Sequence, residues 1–444
     1  MDLEASVAKQ TKYKLRDFIQ FMASGVTPKI TEHDKYYSDS DNGVPFLRVQ
    51  NLSPEGLDYS DCKYINKETH TELLKRSQVS QGDLLIKITG VGRMAITVIA
   101  PEGFEGNINQ HMVVVKTKRP ELNEQIATFL NSDIGEMLAT HRTTGGTRPA
   151  LDYAALRSIP IILNDSVPKI MKQAYEEKKI KEKEVQGLLN RLDEYLLQEL
   201  GIVVPPKDKN LLVNRMFYVA SDKIVDNRFD PLYYSYRYKQ LENAINCSTY
   251  SKMELSQITK RIFSGTTPSS DDYSEEKTKY PVIKVGSYLK DFINLDSLTY
   301  SKKMPFKKVQ QNDIFILSAS HQNSYVGKFI KFLKDVPEEN TSFVGEFICV
   351  RANNLIDPIL LFYILKLDIY KELLNREKRG QTAHIYSKDI SKIPVPVPKQ
   401  EKQLEMVNMI MNVQQKVSEL ENKASEVVDF AKLEVAKILL GDEL

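Results

Sequence analysis

Tryptophan is absent from this chain of 444 residues, which has only three cysteines and six histidines. The cysteines, Cys62, Cys247 and Cys349, lie too far apart to match a disulfide framework or a zinc site by spacing. The histidines are dispersed, and neither a Cys/His nucleophile arrangement nor a Walker phosphate loop occurs. We therefore expect no metal site and no cofactor in the chain itself, and a reducing cytoplasm as its compartment.

Long apolar runs are missing as well. No stretch reaches the roughly 18 apolar residues of a transmembrane helix. The opening MDLEASVAKQ carries Asp2 and Glu4 and lacks the apolar core of a secretory signal. With 41% hydrophobic and 27% charged residues, the composition is typical of a soluble globular protein without a membrane partner. A chain of this length is expected to form about two to four domains.

A strong excess of positive charge is also lacking, since the formal net charge is only +2. Residues 1–205 contain 26 Lys+Arg and 28 Asp+Glu, and residues 206–444 contain 35 and 31, so 26 − 28 = −2 and 35 − 31 = +4. Bulk charge therefore does not predict a polyanionic partner. Any contact with nucleic acid has to come from local patches.

What the chain does contain is a duplication. Residues 15–28 read LRDFIQFMASGVTP and residues 255–268 read LSQITKRIFSGTTP. The two glycines, Gly25 and Gly265, are 265 − 25 = 240 residues apart, and the same offset separates Gly201 from Gly441. A duplicated unit presents two similar surfaces, which suits a ligand in two parts. DNA with a two-part site is the strongest candidate.

Each repeat shows the same order of predicted elements and indicates an α/β (α+β) fold. A short helix-like segment ends in the SG-x-TP turn, and short β-like runs rich in Val, Ile and Leu follow. A helix, a polar glycine-containing loop and an IPIIL or IPVPVP segment close the repeat. The predicted strands and helices are 44–50, 84–89, 94–100, 112–116 and helix 122–140 in the first repeat, and 281–286, 314–319, 327–333, 346–351 and helix 358–376 in the second.

A long helix is predicted after each repeat. Residues 166–200 carry a leucine-rich stripe, and the second helix has apolar residues at alternating spacings of 3 and 4, from Ile410 to Ala431. Each helix would span roughly 50–60 Å. One interpretation is an amphipathic helix packed on its own domain. A single seam with polar flanks favours the other, an antiparallel coiled coil between the repeats that gives the fold a pseudo-two-fold axis.

The sequence therefore predicts five segments. They are a first recognition domain (1–164), a first spacer helix (165–202), a connector (203–250), a second recognition domain (251–398) and a second spacer helix (399–444).

These motifs, taken in order, resemble one known family: the DNA-specificity subunit of type I restriction–modification systems. The resemblance rests on the SG-x-TP turns, VPFLRVQNL, the QGDLLI and QNDIFIL runs, NQHMVVVK, the G-x-T loops and RFDPLYY. The resemblance covers almost the whole chain, and the order of motifs occurs in both repeats. It implies a non-catalytic prokaryotic, cytoplasmic subunit with two target-recognition domains, each reading one half of an asymmetric DNA site. It also implies two adenine-methyltransferase subunits and restriction/translocase subunits as partners, to which S-adenosylmethionine, ATP and Mg²⁺ would belong.

Polar loops with glycine and basic residues are the best candidates for contact with double-stranded DNA, since glycine permits close backbone approach and Thr and Arg suit phosphates. The alternative is a loop that only wraps a helix end. Base reading needs side chains such as Arg, Asn and Gln. The first repeat offers Thr27, Lys29, Arg48, Gln50, Asn51, Lys87, Arg93, Arg142, Thr143, Thr144, Gly145, Gly146, Thr147 and Arg148. The second offers Thr267, Lys284, Ser287, Ser320, His321, Gln322, Asn323, Tyr325, Arg376, Lys378, Arg379, Gln381, Thr382 and His384.

Enzyme interpretations fit the sequence poorly. Asp230-Pro231-Leu232-Tyr233 resembles the motif of adenine methyltransferases, but Leu232 stands where a second proline is needed. Asp83 and Lys87 are a poor match to a nuclease site, which needs clustered carboxylates. The remaining alternative is a coiled-coil scaffold that bridges two protein partners without sequence-specific DNA binding. The duplication alone is compatible with both.

Overall fold

The computed structural model describes residues 3–207, 216–225, 228–320, 324–336, 338–380 and 383–441. The chain divides into two compact units. Unit 1 consists of residues 1–185 and 419–444, and unit 2 of residues 186–418. Both boundaries lie inside long helices, so each unit contains part of both helices that the sequence analysis treated as separate spacer segments.

Unit 1 contains both strands and helices, several of which share a hydrophobic core. The strands are β1 (Ile19–Ser24), β2 (Tyr37–Ser38), β3 (Val44–Leu47), β4 (Leu52–Ser53), β5 (Gly56–Leu57), β6 (Lys63–Ile65), β7 (Gln78–Ser80), β8 (Leu84–Lys87), β9 (Thr97–Ile99), β10 (Glu105–Ile108) and β11 (Met112–Thr117). The helices are α1 (Leu3–Gln10), α2 (Leu15–Phe18), α3 (His33–Tyr36), α4 (Asn123–Asn131), α5 (Asp133–His141), α6 (Tyr153–Ser158) and the first part of α7 (Ser166–Glu199).

Unit 2 repeats this order with small changes. Its strands are β12 (Ser251–Glu254), β13 (Thr259–Ser264), β14 (Tyr273–Ser274), β15 (Pro281–Ile283), β16 (Tyr288–Leu289), β17 (Phe292–Ile293), β18 (Thr299–Ser301), β19 (Ile314–Leu317), β20 (Ile330–Phe332), β21 (Ser342–Phe343), β22 (Phe347–Ala352) and β23 (Pro394–Val397). Its helices are α8 (Tyr236–Asn246), α9 (Pro358–Lys366), α10 (Asp368–Arg376), α11 (Ser387–Ile390) and α12 (Gln400–Leu440), the last of which continues into unit 1.

The strand order shows that the two units share one topology. In unit 1 the sheets are ordered β1-β11-β8-β9 and β2-β6-β3-β10-β7. In unit 2 the corresponding orders begin β13-β22-β19-β20 and β14-β18-β15-β21. The irregularity in the first pairing is repeated too, since the register shifts between Ile19 and Phe21 and again between Thr259 and Arg261. The internal repeat predicted from sequence is therefore a repeat of structure.

The prediction of a helix before each SG-x-TP turn is wrong for most of the segment. Only Leu15–Phe18 is helical, and Ile19–Ser24 forms strand β1, which pairs with β11. The equivalent residues of unit 2 form β13, paired with β22. The pairing with a buried neighbour strand outweighs the weak local helix preference of these short segments.

Each helix predicted over 122–140 and 358–376 is in fact a pair of helices. In unit 1 the break lies at Ser132, whose side chain accepts a hydrogen bond from the Gly135 backbone N–H and so starts α5. Leu367 occupies the corresponding break between α9 and α10. The apolar periodicity continues across both breaks, which is why the sequence predicted one helix.

The two long helices pair in an antiparallel arrangement. The first part of α7 shares the core of unit 1 with the last part of α12, through Met171 and Val435 among others. The last part of α7 shares the core of unit 2 with the first part of α12, through Leu196 and Ile410. The coiled-coil interpretation is therefore confirmed. Among the described residues, no helix has both the length and the apolar character needed to cross a membrane.

The segment predicted as a connector, 203–250, contributes to the core of unit 2. Leu241 and Ile245 of α8 are fully buried in that core. Just after the helix, the Ser248 hydroxyl donates a 2.6 Å hydrogen bond to the Leu200 carbonyl at the end of α7. In unit 1, α1 buries Val7 in the same way. Each unit is therefore completed by a helix that precedes its first long strand.

The turn glycines are predicted to tolerate no side chain. A Cβ at Gly265 would lie 2.2 Å from the Val344 carbonyl oxygen, which belongs to the backbone and cannot swing away. We expect Gly265→Ala to lower the free energy of unfolding by about 1–3 kcal/mol, or the melting temperature by about 2–4 °C for each kcal/mol. Calorimetry of the full chain measures this shift. Gly286→Ala is the matched control, since no atom lies within 4 Å of its added Cβ; equal melting of both variants would contradict the prediction.

Candidate nucleic-acid interface

A glycine hairpin in unit 1 is the first element of the candidate site. Thr144 and Ala150 exchange two backbone hydrogen bonds of 2.9 Å, which close the polar loop predicted from sequence. Gly145 adopts a left-handed conformation with φ +91°, which favours glycine. Ala150 also bridges to Thr89, directly after β8. The hairpin therefore lies beside the end of β8 and the loop that follows it.

Unit 2 builds the same hairpin with one residue fewer. Arg379 and His384 exchange backbone hydrogen bonds of 2.8 and 3.0 Å, and His384 bridges to Ala319 directly after β19. Gly380, like its counterpart, has a positive φ of +80°. The closing residues are 384 − 379 = 5 positions apart, against 150 − 144 = 6 in unit 1. The loops after β8 and β19, which the sequence analysis singled out, are therefore brought next to the glycine hairpins in both units.

The SG-x-TP turn is the second element, and it touches the loop before the last sheet strand. In unit 1 the Thr27 hydroxyl is hydrogen-bonded to the Gln110 side chain. In unit 2 the Thr267 hydroxyl donates to the Glu346 carboxylate at 3.0 Å and accepts from the Gly345 N–H at 2.9 Å. The two threonines are equivalent, but their partners differ in chemistry.

The third element is a basic residue that directly follows strand β3 in unit 1 and strand β15 in unit 2. The Leu47 carbonyl accepts from the Asn109 N–H at 3.0 Å, and the Ile283 carbonyl accepts from the Val344 N–H at 3.1 Å. The next residue along the chain, Arg48 or Lys284, therefore lies beside the loop that contacts the turn threonine.

Asn51 and Ser287 hold these basic residues in place. Asn51 is buried and accepts from the Arg48 N–H at 2.8 Å, while buried Ser287 accepts from the Lys284 N–H at 3.2 Å. Their amide and hydroxyl groups then reach further carbonyls across the same turn. Both were predicted to contact DNA; the structure gives them a role in shaping the turn.

The electrostatic surroundings differ between the units. Arg48 forms a 2.8 Å ion pair with Asp61, whereas Lys284 lies 3.8 Å from the centre of the Tyr273 ring. Burial raises the pKa of Tyr273, and the nearby Glu346 carboxylate raises it further. The Glu346 carboxylate therefore faces a cluster that contains Tyr273 and Thr267.

In unit 1 the equivalent place is occupied by Gln110 and His111, with the cation Arg148 nearby. Burial lowers the pKa of His111, and the positive charge of Arg148 lowers it further, so the imidazole is neutral at pH 7. Arg148 itself is exposed on the glycine hairpin. The hairpin and the loop before β11 therefore belong to one surface.

Several predicted contact residues in unit 1 form hydrogen bonds or ion pairs within the fold. Lys87 is buried, donates to the Val91 carbonyl at 2.8 Å, and has its pKa lowered by that burial. Arg93 forms ion pairs with Glu136 at 2.7 Å and Asp133 at 3.2 Å. Lys87 and Arg93 thus pin the two ends of the loop after β8.

Arg142 has an equally structural position at the end of α5. Its guanidinium donates to the Leu138 carbonyl at 2.8 Å and to the Glu4 carboxylate of α1 at 2.9 Å. The contact with Glu4 connects helix α1 to the base of the glycine hairpin.

In unit 2 a different set of arginines holds the base of the glycine hairpin. Arg376 pairs with Glu242 of α8 at 2.6 Å, and Arg379 with Asp389 at 2.6 Å. The buried Arg228, which the sequence analysis did not single out, donates to the carbonyls of Arg376 and Lys378 at 2.7 and 2.6 Å. Its signal in the sequence is only its place at the start of RFDPLYY.

The remaining predicted residues lie mostly at the surface. Burial lowers the pKa of Lys378, and the charge of nearby Lys328 adds to this effect, so two lysines approach each other beside the second hairpin. Gln110, His111, Glu346 and Lys328 were missed, because single polar residues in loops carry no pattern. Exposed predicted residues are Lys29, Gln50, Thr144, Gly145, Gly146, Thr147, Arg148, Thr267 and Tyr325; partly buried ones are Thr27, Thr143, Ser320 and His384; His321, Gln322, Asn323, Gln381 and Thr382 lie outside the described residues.

A metal centre is not part of this surface as described. Within the residues that the structure describes, no group of three or more His, Cys, Asp or Glu side chains could hold a metal ion.

One family model matches part of the chain. Residues 248–429 match the family model of the type I restriction modification DNA specificity domain. Among curated proteins, none matches the chain significantly.

Three solved chains resemble this one over nearly their whole length. A chain from a structure on complex assembly and conformational transition of the type I R-M system is 14% identical, with 97% of each chain covered and a TM-score of 0.47. The type I S subunit from M. genitalium is 13% identical, with 97% of this chain and 94% of that one covered and a TM-score of 0.36. The HsdS subunit from Thermoanaerobacter tengcongensis is 15% identical, with coverages of 97% and 96% and a TM-score of 0.35.

The proximity of Arg148 to His111 can be measured by titration. Because a nearby cation disfavours the imidazolium, we expect Arg148→Ala to raise the pKa of His111 toward its ordinary value, while burial keeps it from reaching that value. NMR titration of histidine-labelled full chain reads this directly. Lys29→Ala, another exposed cation of unit 1, should leave the His111 titration unchanged. An unaltered His111 pKa in the Arg148→Ala variant would separate the hairpin from the loop before β11.

Proposed function

We propose that this chain is a DNA-specificity subunit of the type I restriction–modification family, whose domain model matches residues 248–429, and that it reads a two-part, asymmetric DNA site with one half bound by each unit. Its role is DNA sequence specificity, and it is not itself the catalyst. The observation that carries the proposal is the duplicated cluster of turn, loop and glycine hairpin, built on the same strands in both units.

The differences between the clusters support an asymmetric target. Equivalent positions hold Gln110 and His111 in unit 1 but Gly345 and Glu346 in unit 2. Base edges are distinguished by the pattern of hydrogen-bond donors and acceptors that meets them. Two clusters with the same backbone and different side chains would therefore read different half-sites.

Within each cluster we assign two kinds of contact. Exposed cations and the backbone N–H groups of the glycine hairpins suit phosphate oxygens, which position the protein without reading sequence. In unit 1 these cations are Lys29 and Arg148. Gln50 and Gln110 are the side chains that suit base edges there, whereas Arg48 is ion-paired with Asp61 and is left out. The buried or ion-paired residues Asn51, Lys87, Arg93, Arg142, Ser287, Arg376 and Arg379 are left out of the proposed contacts.

Catalysis in this proposal belongs to partners. Two adenine-methyltransferase subunits would dock on the chain, and restriction/translocase subunits would join them, bringing S-adenosylmethionine, ATP and Mg²⁺. The antiparallel helices α7 and α12 would set the length of DNA between the half-sites. Each helix has an apolar face, which packs against the other helix, and a charged face, which suits exposure to solvent.

The central prediction concerns methylation. When the chain is combined with the methyltransferase encoded beside it, adenine methylation should appear at one motif of two short halves separated by a spacer of fixed length. Mapping of methylated adenines across genomic DNA, with and without the chain, measures this. Methylation that is unaffected by removal of the chain would sink the proposal, and specific methyltransferase binding without any motif would favour the scaffold alternative.

Glu346 gives a prediction for unit 2 alone. A carboxylate repels phosphates, but it accepts a hydrogen bond from the amino group of cytosine or adenine, so its place beside Thr267 suits a base edge. We expect Glu346→Gln, which keeps the shape and removes the charge, to weaken discrimination at one base pair by about 1–3 kcal/mol. Competition binding with every single-base variant of the motif measures the change.

The other half-site is the internal control for this substitution. Preferences in the half read by unit 1 should stay as they are, and Glu254→Gln, on strand β12, should change neither half. Equal reduction of affinity for all sequences would show that Glu346 supports the fold of the loop and reads no base.

A further inference from the structure

The loop between β18 and β19 of unit 2 exposes an aromatic residue among lysines. Residues 302–308 read KKMPFKK, with four lysines and no acidic residue. The side chain of Phe306 is 103% exposed and that of Met304 57% exposed. A single exposed apolar residue is ordinary on a protein surface, so the informative feature here is the combination of two neighbouring exposed apolar side chains with four lysines.

The loop is braced against the SG-x-TP turn of the candidate interface. The Lys307 ammonium donates to the Ser264 carbonyl at 2.7 Å, and the Lys302 ammonium donates to the Asp271 carbonyl at 2.9 Å. These two carbonyls stand on either side of Thr267 in the chain. Whatever contacts the turn at Thr267 therefore also comes within reach of the exposed tip.

The base of the loop is anchored in the sheet. The Lys308 carbonyl accepts a 3.1 Å hydrogen bond from Arg351 of β22, and the Val309 N–H donates to the Thr341 carbonyl at 3.0 Å. Val309 is buried. The tip is thus held outward by a fixed base.

The charge of the loop remains positive after its internal ion pairs are counted. Lys303 pairs with Asp272 at 2.7 Å, and Lys308 lies 3.8 Å from Glu339. Lys302 and Lys307 bind main-chain carbonyls, which do not neutralise their charge. The four lysines therefore outnumber the two carboxylates that approach them, Asp272 and Glu339, and an apolar point among excess cations matches the phosphate edges and stacked bases of a nucleic acid.

We propose that Met304, Pro305 and Phe306 form a wedge that enters the minor groove of DNA beside the half-site read by unit 2, while Lys302 and Lys307 contact the flanking phosphates. The inference rests on the proposed DNA-reading function and adds a mode of contact to it. Phe, Met and Pro are side chains that proteins insert between base steps, which unstacks the bases and bends the duplex. The energy of that deformation depends on the sequence deformed, so the wedge also contributes indirect readout.

Unit 1 has no equivalent wedge in its sequence. The corresponding stretch, 66–77, reads NKETHTELLKRS and contains no Phe, Tyr, Trp, Met or Pro; its exposed apolar side chain is Leu73, at 54%. It forms the helical turns Thr69–Leu73 and Lys75–Ser77 instead of an open tip. Distortion of the DNA is therefore expected at one half-site only, which supplies an internal control.

The test uses the full chain with its methyltransferase partner on duplexes that carry its methylation motif. Single 2-aminopurine substitutions are placed through both halves and their flanks, since this base gains fluorescence when it is unstacked. We expect a fluorescence increase at one step beside the half-site of unit 2 and none beside the other. Phe306→Ala should abolish the increase and weaken binding roughly 5- to 100-fold.

Two further variants separate the wedge from general effects. Replacing Lys302 and Lys307 by Gln should lower the slope of log affinity against log salt by about 0.9 for each phosphate that the variant no longer neutralises, while the fluorescence signal at saturating protein persists. Tyr218→Ala is the matched control, because Tyr218 is equally exposed, at 101%, and lies in a different segment. It should change neither affinity nor fluorescence.

The outcomes distinguish this inference from the proposed function. Motif-specific binding without fluorescence change, and with Phe306→Ala unaltered, would overturn the wedge and leave DNA reading intact. If Phe306→Ala instead impairs methyltransferase binding while the 2-aminopurine signal is absent, the tip is a protein contact and the wedge is again refuted. Absence of motif-specific binding by the unaltered chain would remove both proposals.

Discussion

The candidate interface of each unit depends on one close approach between backbones. Gly25 donates its N–H to the Met112 carbonyl at 3.3 Å, and Gly265 donates to the Phe347 carbonyl at 3.1 Å. A side chain at Gly25 would place its Cβ 1.8 Å from the Ile108 carbonyl oxygen, so the turn closes only around glycine. This contact lets the threonine two residues later reach the loop before the last sheet strand. The position of every other recognition element is set relative to that loop.

A second constraint secures the glycine hairpins from the opposite side. Each hairpin begins at the end of a helix whose final carbonyls are held by an arginine, partly buried in unit 1 and buried in unit 2. Arg142 serves unit 1 and Arg228 serves unit 2, and the carboxylates of Glu4 and Glu377 balance them. Removing one partner of such a pair leaves an uncompensated buried charge, which is far more costly than breaking a surface pair. Helix α1 in unit 1 and the segment around Arg228 in unit 2 therefore support the glycine hairpins, although they lie far from them in sequence.

The sequence predicted those features that are encoded locally. Strands such as Leu84–Lys87 and Met112–Thr117, both long helices and both glycine hairpins follow from apolar runs, heptad spacing and loop composition. Strand β1 was missed because its partner β11 lies about 90 residues away, and pairing decided its conformation. For the same reason the sequence suggested that Arg142 is a free cation in a polar loop, because its carboxylate partner, Glu4, is 138 residues away. Single polar residues such as Glu346 gain meaning only when the fold places them beside Thr267.

The small net charge restricts how such a protein can hold DNA. Affinity that comes from released counterions grows with the number of phosphates contacted, and a chain with a net charge of +2 has few cations to spare. Several of its arginines are committed to internal ion pairs, which reduces that number further. Binding free energy then has to come from shape, stacking and partner surfaces. A tip that carries Phe306 between lysines offers an apolar side chain and positive charge in one short loop, and under the proposed function its place in unit 2 would make the two half-sites physically unequal.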